Sequence, residues 1–313
     1  MPIHLSESPS TLKVGEANVT AGYIGTTSIY PNEFTTDFVV IGGGGASNAN
    51  VGGFGYYYTG GGGGGGFRTS ITGDGNGGGN AADSQLILYS TVEYTVTVGD
   101  GGTGGGAYAT GTNGGNSVFA TITSLGGGAG GAGGSTPTNG VNGGCGGGGG
   151  SRTSGYGLSS GGTGTNGYAG AGGGPFLNGA GGGGGGAASA GSAAYQSGGN
   201  YVAGTGGDAQ RSTLAEEYHN DGSQRWFSAG GGGISAFLFN STGNGPNGAN
   251  HSTAANTGMG AQTTAATSGA IYIKYPNTLS FSVTTGSLTS ATNTIGDYKY
   301  TFFSAGNGTI TFL

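Results

Sequence analysis

The chain has 313 residues, of which 84 are glycine, and its formal net charge is -6. Glycine at this level without a collagen period is typical of disordered chains, but disordered chains are poor in aromatic residues and rich in charge, whereas this one has 17 tyrosines, 13 phenylalanines and 6% charged residues. A compact fold built on backbone packing is therefore predicted, and the seven Lys and Arg residues form no patch that would favour nucleic acid as a partner.

Other bulk features narrow the setting further. The single cysteine, Cys145, allows neither an intrachain disulfide nor a cysteine metal site. The first seven residues have neither a basic segment nor an apolar core, so no signal peptide is expected. No apolar run approaches the roughly 18 residues of a membrane helix. We therefore expect a soluble protein made in the cytoplasm, with no membrane insertion.

Residues 1–33 form the first compositional unit and contain only three glycines. Short β-prone pieces at residues 12–15 and 18–31 predict two or three small strands. Because so few strands cannot form a core alone, this N-terminal β attachment module is expected to dock on the rest of the chain or on a partner.

Residues 34–275 form a glycine-rich domain, and its most extreme segment is the run of seven glycines at residues 60–66. Similar runs lie at residues 42–45, 126–134, 146–150, 181–186 and 230–233. A glycine run adopts the polyproline II helix, which rises about 3.1 Å per residue and makes no hydrogen bonds within itself. Buried backbone groups must nevertheless be paired. We therefore predict parallel and antiparallel polyglycine II rods that bond to one another, with disorder as the competing interpretation.

Strands are predicted near both ends of this domain. The apolar segment 37–41 leads directly into the first glycine run, and the other strand patterns lie at residues 85–89, 93–98, 117–122 and 270–275. These strands are expected to form a β base from which the rods project. One short helical turn is predicted after Ser212, before a turn at Asp221 and Gly222.

Residues 276–313 lose the glycine bias and are predicted to form a C-terminal β module. Its expected strands are residues 279–284, 298–303 and 308–313, and its expected turns lie at Gly286, residues 296–297 and residues 306–308. The fold class predicted for the whole chain is all-β or irregular. It comprises a β base, stacked polyglycine II rods with variable loops, flanking small β modules and almost no helix.

Residues 37–45, 60–69, 94–102 and 268–276 together resemble the glycine-rich domain of tailed-phage tail-fibre and adhesin (receptor-binding) proteins. Residues 22–31 and 296–312 resemble short modules of phage structural proteins, the latter of the marine or cyanobacterial phage type. The resemblance covers nearly the whole chain. This chain differs from the tip adhesins of T-even-like phages by being longer and by having β modules at both ends, which leaves open a shaft, a decoration or a polymerising subunit.

The resemblance implies a non-enzymatic structural and adhesive protein that takes part in host attachment. It would lie on the virion surface and be extracellular after lysis. Its implied partners are copies of itself, other virion fibre proteins, and a host surface glycan or outer-membrane protein. The rods would form a rigid stack, and the loops between them would meet the receptor.

Aromatic residues between glycine runs are the candidate receptor contacts, because rings give a large contact area at a small entropic cost. The principal candidates are Tyr56, Tyr57, Tyr58, Tyr156, Trp226 and Phe227, and a second group comprises Phe54, Phe176, Tyr195 and Tyr201. Residues 56–58 and 226–227 are expected to be exposed, since three adjacent rings cannot all point inward from an extended segment. The alternative is that such rings cap the rods and fill space.

No catalytic, cofactor-binding or metal site is predicted. The histidines lie far apart without metal spacing: His4, His219 and His251. One acidic group is interpreted as a solvated polar loop rather than a carboxylate pair or a cation site: Glu216, Glu217 and Asp221. Cys145 has no nearby base and is interpreted as an inert space-filler.

Two other functions stay open on sequence grounds. One is a self-assembling extracellular filament subunit that polymerises through terminal β-strands with exposed edges; the lack of a signal peptide counts against a secreted bacterial filament but not against a phage product. The other is a surface polysaccharide depolymerase. That enzyme needs close carboxylates in a groove, and the sequence offers only the group at residues 216–221.

Overall fold

A computed structural model gives the fold. It describes residues 32–47, 58–105, 109–134, 136–151, 159–171, 179–197, 200–234, 256–261 and 265–313, together with the backbone of five short strands before residue 32. Those strands are β1 (Ile3–Leu5), β2 (Leu12–Val14), β3 (Ala17–Val19), β4 (Tyr23–Ile24) and β5 (Thr27–Ser28). β1, β2 and β3 form one small sheet, and β4 and β5 form another. The sequence predicts two or three small strands in this region, and the structure has five short ones.

The remaining elements are β6 (Glu33–Ile41), β7 (Phe67–Thr69), a 3-10 turn (Gly77–Gly79), β8 (Leu86–Tyr89), β9 (Glu93–Thr97), β10 (Ser117–Phe119), β11 (Ile122–Ser124), β12 (Tyr195–Ser197), β13 (Asn200–Val202), β14 (Gln210–Arg211), α1 (Thr213–His219), β15 (Trp226–Phe227), β16 (Ala270–Pro276), β17 (Phe281–Ile295) and β18 (Tyr298–Phe312). Nine of the strands form one sheet in the order β11-β10-β9-β18-β16-β6-β7, with β17 beside β18 and β8 beside β6. This sheet is the predicted β base, and the all-β fold class is confirmed.

The end of β6 is apolar throughout because both faces of the sheet are covered. Phe38 and Val40 belong to the larger core, whereas Val39 and Ile41 belong to a second core on the opposite face. All four side chains have 0% exposure. A continuous apolar run is the pattern of a strand buried on both sides. β6 therefore anchors the sheet at the point where the chain enters the first glycine run.

The single helix of the described residues, α1, covers the second core. It begins after Ser212, whose Oγ accepts a hydrogen bond from the N–H of Ala215 at 3.2 Å, and it ends at Asn220 in the left-handed conformation. Both caps satisfy backbone groups that a helix end leaves unpaired. The predicted short helix after Ser212 is confirmed, and its buried side chains hold it against the sheet: Leu214, Ala215 and Tyr218.

β18 is the central strand of the sheet. Along its whole length it pairs on one side with β17, while its other side pairs first with β16 over residues 298–303 and then with β9 over residues 307–311. Residues 276–313 therefore share one sheet with the glycine-rich domain, and the boundary drawn from composition at residue 275 falls inside β16.

Two of the three turns predicted within residues 276–313 are wrong. Residues 296–297 do form a turn, in which Gly296 has a φ of 58°, as the first position of a type II′ hairpin requires. However, Gly286 and residues 306–308 lie inside β17 and β18, where Gly286 and Gly306 have φ values of 76° and 96°. Glycine inside a strand marks a bulge or bend, and here β18 changes its partner.

The expected single strand at residues 117–122 is instead the hairpin of β10 and β11. Phe119 pairs with Ile122, and Ala120 takes a φ of 51° in the turn between them. The period-two pattern did not distinguish one long strand from two short ones, because alanine and threonine are not typical turn residues.

Candidate recognition surface at the end of the glycine stack

The seven glycines at residues 60–66 form the centre of a stack of extended segments, and we call them the central rod. Their backbone N–H groups donate hydrogen bonds of 2.7–3.0 Å to three neighbouring segments in rotation. Residues 125–131 accept from Gly60, Gly63 and Gly66. Residues 182–185 accept from Gly61 and Gly64, and residues 258–261 accept from Gly62 and Gly65. This repeat of three residues is that of the polyproline II helix.

Three other segments donate to the carbonyl groups of the central rod and of Thr59 beside it. These are residues 42–45, 145–148 and 231–234, and their hydrogen bonds measure 2.8–3.1 Å. The central rod thus has six neighbours, of which residues 182–185 run parallel to it and the other five antiparallel. The prediction of parallel and antiparallel rods joined by backbone bonds is confirmed.

The six surrounding rods also bond to one another and close a ring around the central rod. One or two N–H···O=C bonds join each rod in this ring to the next, in the order 42–46, 125–131, 145–150, 181–186, 229–234, 258–261 and back to 42–46. We call these seven rods the glycine stack. Such a closed ring satisfies backbone groups that no strand or helix pairs.

Glycine is required in the central rod for spacing rather than for backbone conformation. A Cβ added to Gly61 would lie 1.9 Å from the carbonyl oxygen of Gly231, and one added to Gly63 would lie 2.3 Å from that of Cys145. No glycine at residues 60–66 has a positive φ. Other residues could adopt this backbone but would not fit, so the interior of the stack excludes side chains.

Cys145 is a side chain that the ring does accommodate. It is fully buried, and its Sγ contacts the carbonyl oxygen of Gly65 at 3.3 Å. Gly167 leaves it room, because a Cβ there would lie 2.2 Å from Sγ. Burial raises the pKa of the Cys145 thiol to about 12, which agrees with its interpretation as an inert space-filler.

In the folded protein at mildly alkaline pH, a chromogenic disulfide reagent is expected to leave Cys145 unmodified. The thiolate is the reactive form. The raised pKa keeps the Cys145 thiol protonated, and its burial prevents the reagent from reaching it. Absorbance of the released chromophore measures the reaction, and the same protein in denaturant should release one equivalent. Immediate reaction in native buffer would show that the ring is open.

The two ends of the glycine stack differ. At one end the rods continue into the sheet, since β6 leads into residue 42 and the central rod leads into β7. At the other end, which we call the free end, the outermost described residues of several rods meet. The carbonyl of Tyr58 accepts from the N–H of Ser151 at 2.7 Å, the carbonyl of Ser151 from Gly134 at 3.0 Å, and the carbonyl of Thr59 from Ile234 at 3.0 Å.

The structure overturns the predicted exposure of two aromatic candidates. Tyr58 has 0% exposure at the free end, and Phe227 has 3% exposure. Phe227 lies at the sheet end, where its ring centroid is 6.5 Å from that of Phe67 and 5.9 Å from that of Tyr272. The prediction that these two side chains are exposed is therefore wrong, and their burial fits the space-filling alternative. Trp226 is half-buried, and the candidates outside the described residues are Tyr56, Tyr57, Tyr156, Phe54 and Phe176.

Tyr195, from the second group of candidates, is 55% exposed. It lies on the hairpin of β12 and β13, beyond the backbone bond from Ser192 to Thr205. Gly204, which follows this hairpin, donates to Gly181, and Gly181 donates to Ile234 at the free end. The hairpin therefore presents the Tyr195 ring at the free end. Nothing in the sequence separated this ring from the others, because its exposure depends on pairing between distant rods.

The acidic group near α1 forms separate ion pairs. Arg211 binds Glu216 through two nitrogen–oxygen contacts of 2.7 and 2.6 Å, and this guanidinium holds the pKa of the Glu216 carboxyl below its usual range. Glu217 pairs with Lys274 at 3.1 Å. In the described part of the chain, no three His, Cys, Asp or Glu side chains cluster in a way that would hold a metal ion. These carboxylates are engaged in pairs that stabilise the region around α1.

Comparison with known proteins found no family model, no curated protein and no solved structure that matches this chain. Among the described residues, no helix has the length and apolar character needed to cross a membrane. The structural class is thus an all-β protein that carries a closed stack of polyglycine II rods on a nine-stranded sheet. Its function has to be argued from that geometry.

Proposed function

We propose that this chain is a non-enzymatic fibre or adhesin component of a phage virion, and that it recognises a host surface at the free end of its glycine stack. The proposed receptor is a surface glycan or an outer-membrane protein. The proposed location is the virion surface, and the proposed assembly partners are other virion fibre proteins and copies of this chain.

One observation carries the proposal: the central rod consists of packed backbone with no room for side chains. A Cβ at almost any central-rod position would fall within about 2 Å of a neighbouring carbonyl oxygen, as at Gly60, Gly61 and Gly62. The chemistry of recognition therefore has to come from the segments that join the rods. At the free end these segments can vary without disturbing the stack, as recognition loops on a rigid scaffold do.

Rigidity is the second support for an adhesive role. Every N–H group of the central rod is bonded, so the rods provide a fixed frame for whatever they present. Binding from a preorganised surface loses less conformational entropy than binding from a mobile one. A half-exposed tyrosine such as Tyr195 is the kind of rigid aromatic contact that such surfaces use.

The test measures binding of the fluorescently labelled protein across a panel of bacterial strains. On the strains that bind the unchanged protein, its affinity is then compared with that of the variants. Replacing Tyr195 by serine is expected to lower the affinity at least about tenfold, which corresponds to about 1.4 kcal/mol and is the size of a typical contact residue. The double variant Tyr56→Ser with Tyr57→Ser tests the remaining candidates before Tyr58.

Tyr298→Ser is the matched control. Tyr298 is also an exposed tyrosine, at 45%, but it pairs with Pro276 at the end of β16 far from the stack. The control is expected to bind as the unchanged protein does. Equal loss in both variants, or no strain-dependent binding at all, would contradict recognition at the free end.

A further inference from the structure

Within the part of the chain that the structure describes, β17 has an unpaired outer edge along its whole length. It is 15 residues long, and its partner among the described strands is β18, which lies on one side of it. Among the described residues, no other segment donates to or accepts from the backbone of β17. In an antiparallel ladder alternate residues point their N–H and C=O groups to the same side, so half of the backbone groups of β17 face outward.

The edges at β7, β8 and β11 are short, at three or four residues each, and those of β7 and β11 are capped. β7 is capped at Phe67, whose N–H donates to the carbonyl of Asn166 at 3.1 Å, and at Thr69, whose N–H donates to the side chain of Asn76 at 2.7 Å. At β11, the Arg68 guanidinium reaches the carbonyl of Thr123 at 3.5 Å. The described part of the sheet therefore leaves one long edge for a partner.

Soluble proteins usually protect such edges with lysine, proline or bulges. β17 contains no Asp, Glu, Lys, Arg or Pro and is rich in threonine, which suits a strand. Its two register shifts lie between Val283 and Thr285 and between Thr289 and Ser290. The stretch 290–295 is thus free of bulges, uncharged and, at six residues, of ordinary strand length.

We propose that two copies of this chain pair through this stretch, with β17 of one copy antiparallel to β17 of the other about a two-fold axis. An identical edge is available on every copy, and such an isologous contact satisfies both edges at once. Because the stretch carries no charge, self-pairing places no like charges opposite each other. The contact closes a dimer about its two-fold axis, so it does not by itself build a filament. It does not depend on the adhesive role proposed above.

The register of the hairpin identifies the residues that would face the partner. Ile295 and Tyr298 form the pair that closes the two-residue turn, so their backbone groups point toward each other. The backbone groups of Thr294, Thr292 and Ser290 then point outward by alternation. In a two-fold antiparallel pair, a residue near the axis lies opposite its own counterpart.

Single-cysteine cross-linking tests the contact directly. Cys145 is buried, so a cysteine introduced at Ser290, Thr292 or Thr294 is the reactive thiol. On mild oxidation, at least one of the three variants is expected to form a disulfide-linked dimer much faster than Thr72→Cys, an exposed control position just after β7, which is a different edge strand of the sheet. Rates equal to the control for all three variants would overturn the proposal.

Sedimentation equilibrium supplies a second, independent measurement. The unchanged protein is expected to reach twice its monomer mass of 29.7 kDa as its concentration rises. Thr294→Pro removes an outward N–H and should abolish the dimer, whereas Thr294→Val keeps that N–H and should preserve it. Protection of Cys145 from a thiol reagent verifies that each variant is folded. A monomer at every concentration, a filament, or a dimer that survives Thr294→Pro would contradict pairing through β17.

Discussion

Replacing Gly63 by alanine is expected to lower the free energy of unfolding by more than about 3 kcal/mol, at the upper end of what overpacking costs. The added Cβ would lie 2.3 Å from the carbonyl oxygen of Cys145 and 2.7 Å from that of Gly146. Both atoms are backbone, and the carbonyl of Cys145 already accepts the N–H of Gly128. The ring cannot move away from the new methyl group without breaking bonds to other rods, and Gly63→Val should be more destabilising still.

Gly73→Ala is the matched control, because a Cβ at this exposed glycine meets nothing within 4 Å. Its effect is expected to stay within about 0.5 kcal/mol, as for surface changes elsewhere. Urea unfolding followed by tryptophan fluorescence and by exposure of the Cys145 thiol measures both variants. Equal and small effects would mean that residues 60–66 act as a linker rather than as a packed rod.

The existence of the rods follows from residue chemistry, whereas their arrangement does not. An uncharged glycine run rich in aromatic neighbours has one extended, unstrained and bondable conformation, and this is what residues 60–66 adopt. Which rods surround the central one depends on bonds such as Gly61 to Gly182 and Gly62 to Ala261. These partners are far apart in the chain, and no local pattern encodes their pairing.

The aromatic candidates show a similar limit. The sequence predicts that the adjacent rings at residues 56–58 face solvent, but Tyr58 is fully buried. Period-two alternation tells which residues share a side of an extended segment, but not which side the fold covers. Phe227 shows the same limit of the pattern: it is buried because α1 and β16 enclose it in the second core. Exposure is a property of the assembled stack, and sequence proximity carries no information about it.

The predicted turns at Gly286 and residues 306–308 are wrong because glycine favours both turns and strand bends. Gly306 and Gly308 flank an asparagine, a combination that is typical of turns. In the structure they lie where β18 leaves β16 and begins to pair with β9. Strand bends and tight turns both need the conformations that glycine adopts readily. Only the long-range pairing distinguishes them.

Phe312→Ala is expected to cost about 3–5 kcal/mol, as do other truncations of fully buried phenylalanines. Phe312 has 0% exposure. Its ring lies edge-on to that of Phe34, with centroids 4.9 Å apart, and to that of Tyr275, 5.1 Å apart. The Phe312 ring therefore joins β18, the last strand of the chain, to β6 and β16, which are the first and last strands of the glycine-rich domain. Leu313→Ala, at the adjacent residue with 61% exposure, should change stability by less than about 0.5 kcal/mol.

The labelling rate of Cys145 distinguishes two explanations for the loss of stability in Phe312→Ala. If residues 276–313 formed a separate module, Phe312→Ala would unfold only that module and leave the buried thiol protected. Because β18 is the central strand of the sheet that carries the glycine stack, we expect sheet and stack to open together. The labelling rate of Cys145 should then rise in proportion to the population of the open form. A destabilised C-terminal hairpin with an unchanged labelling rate would show that the stack is held independently of β18.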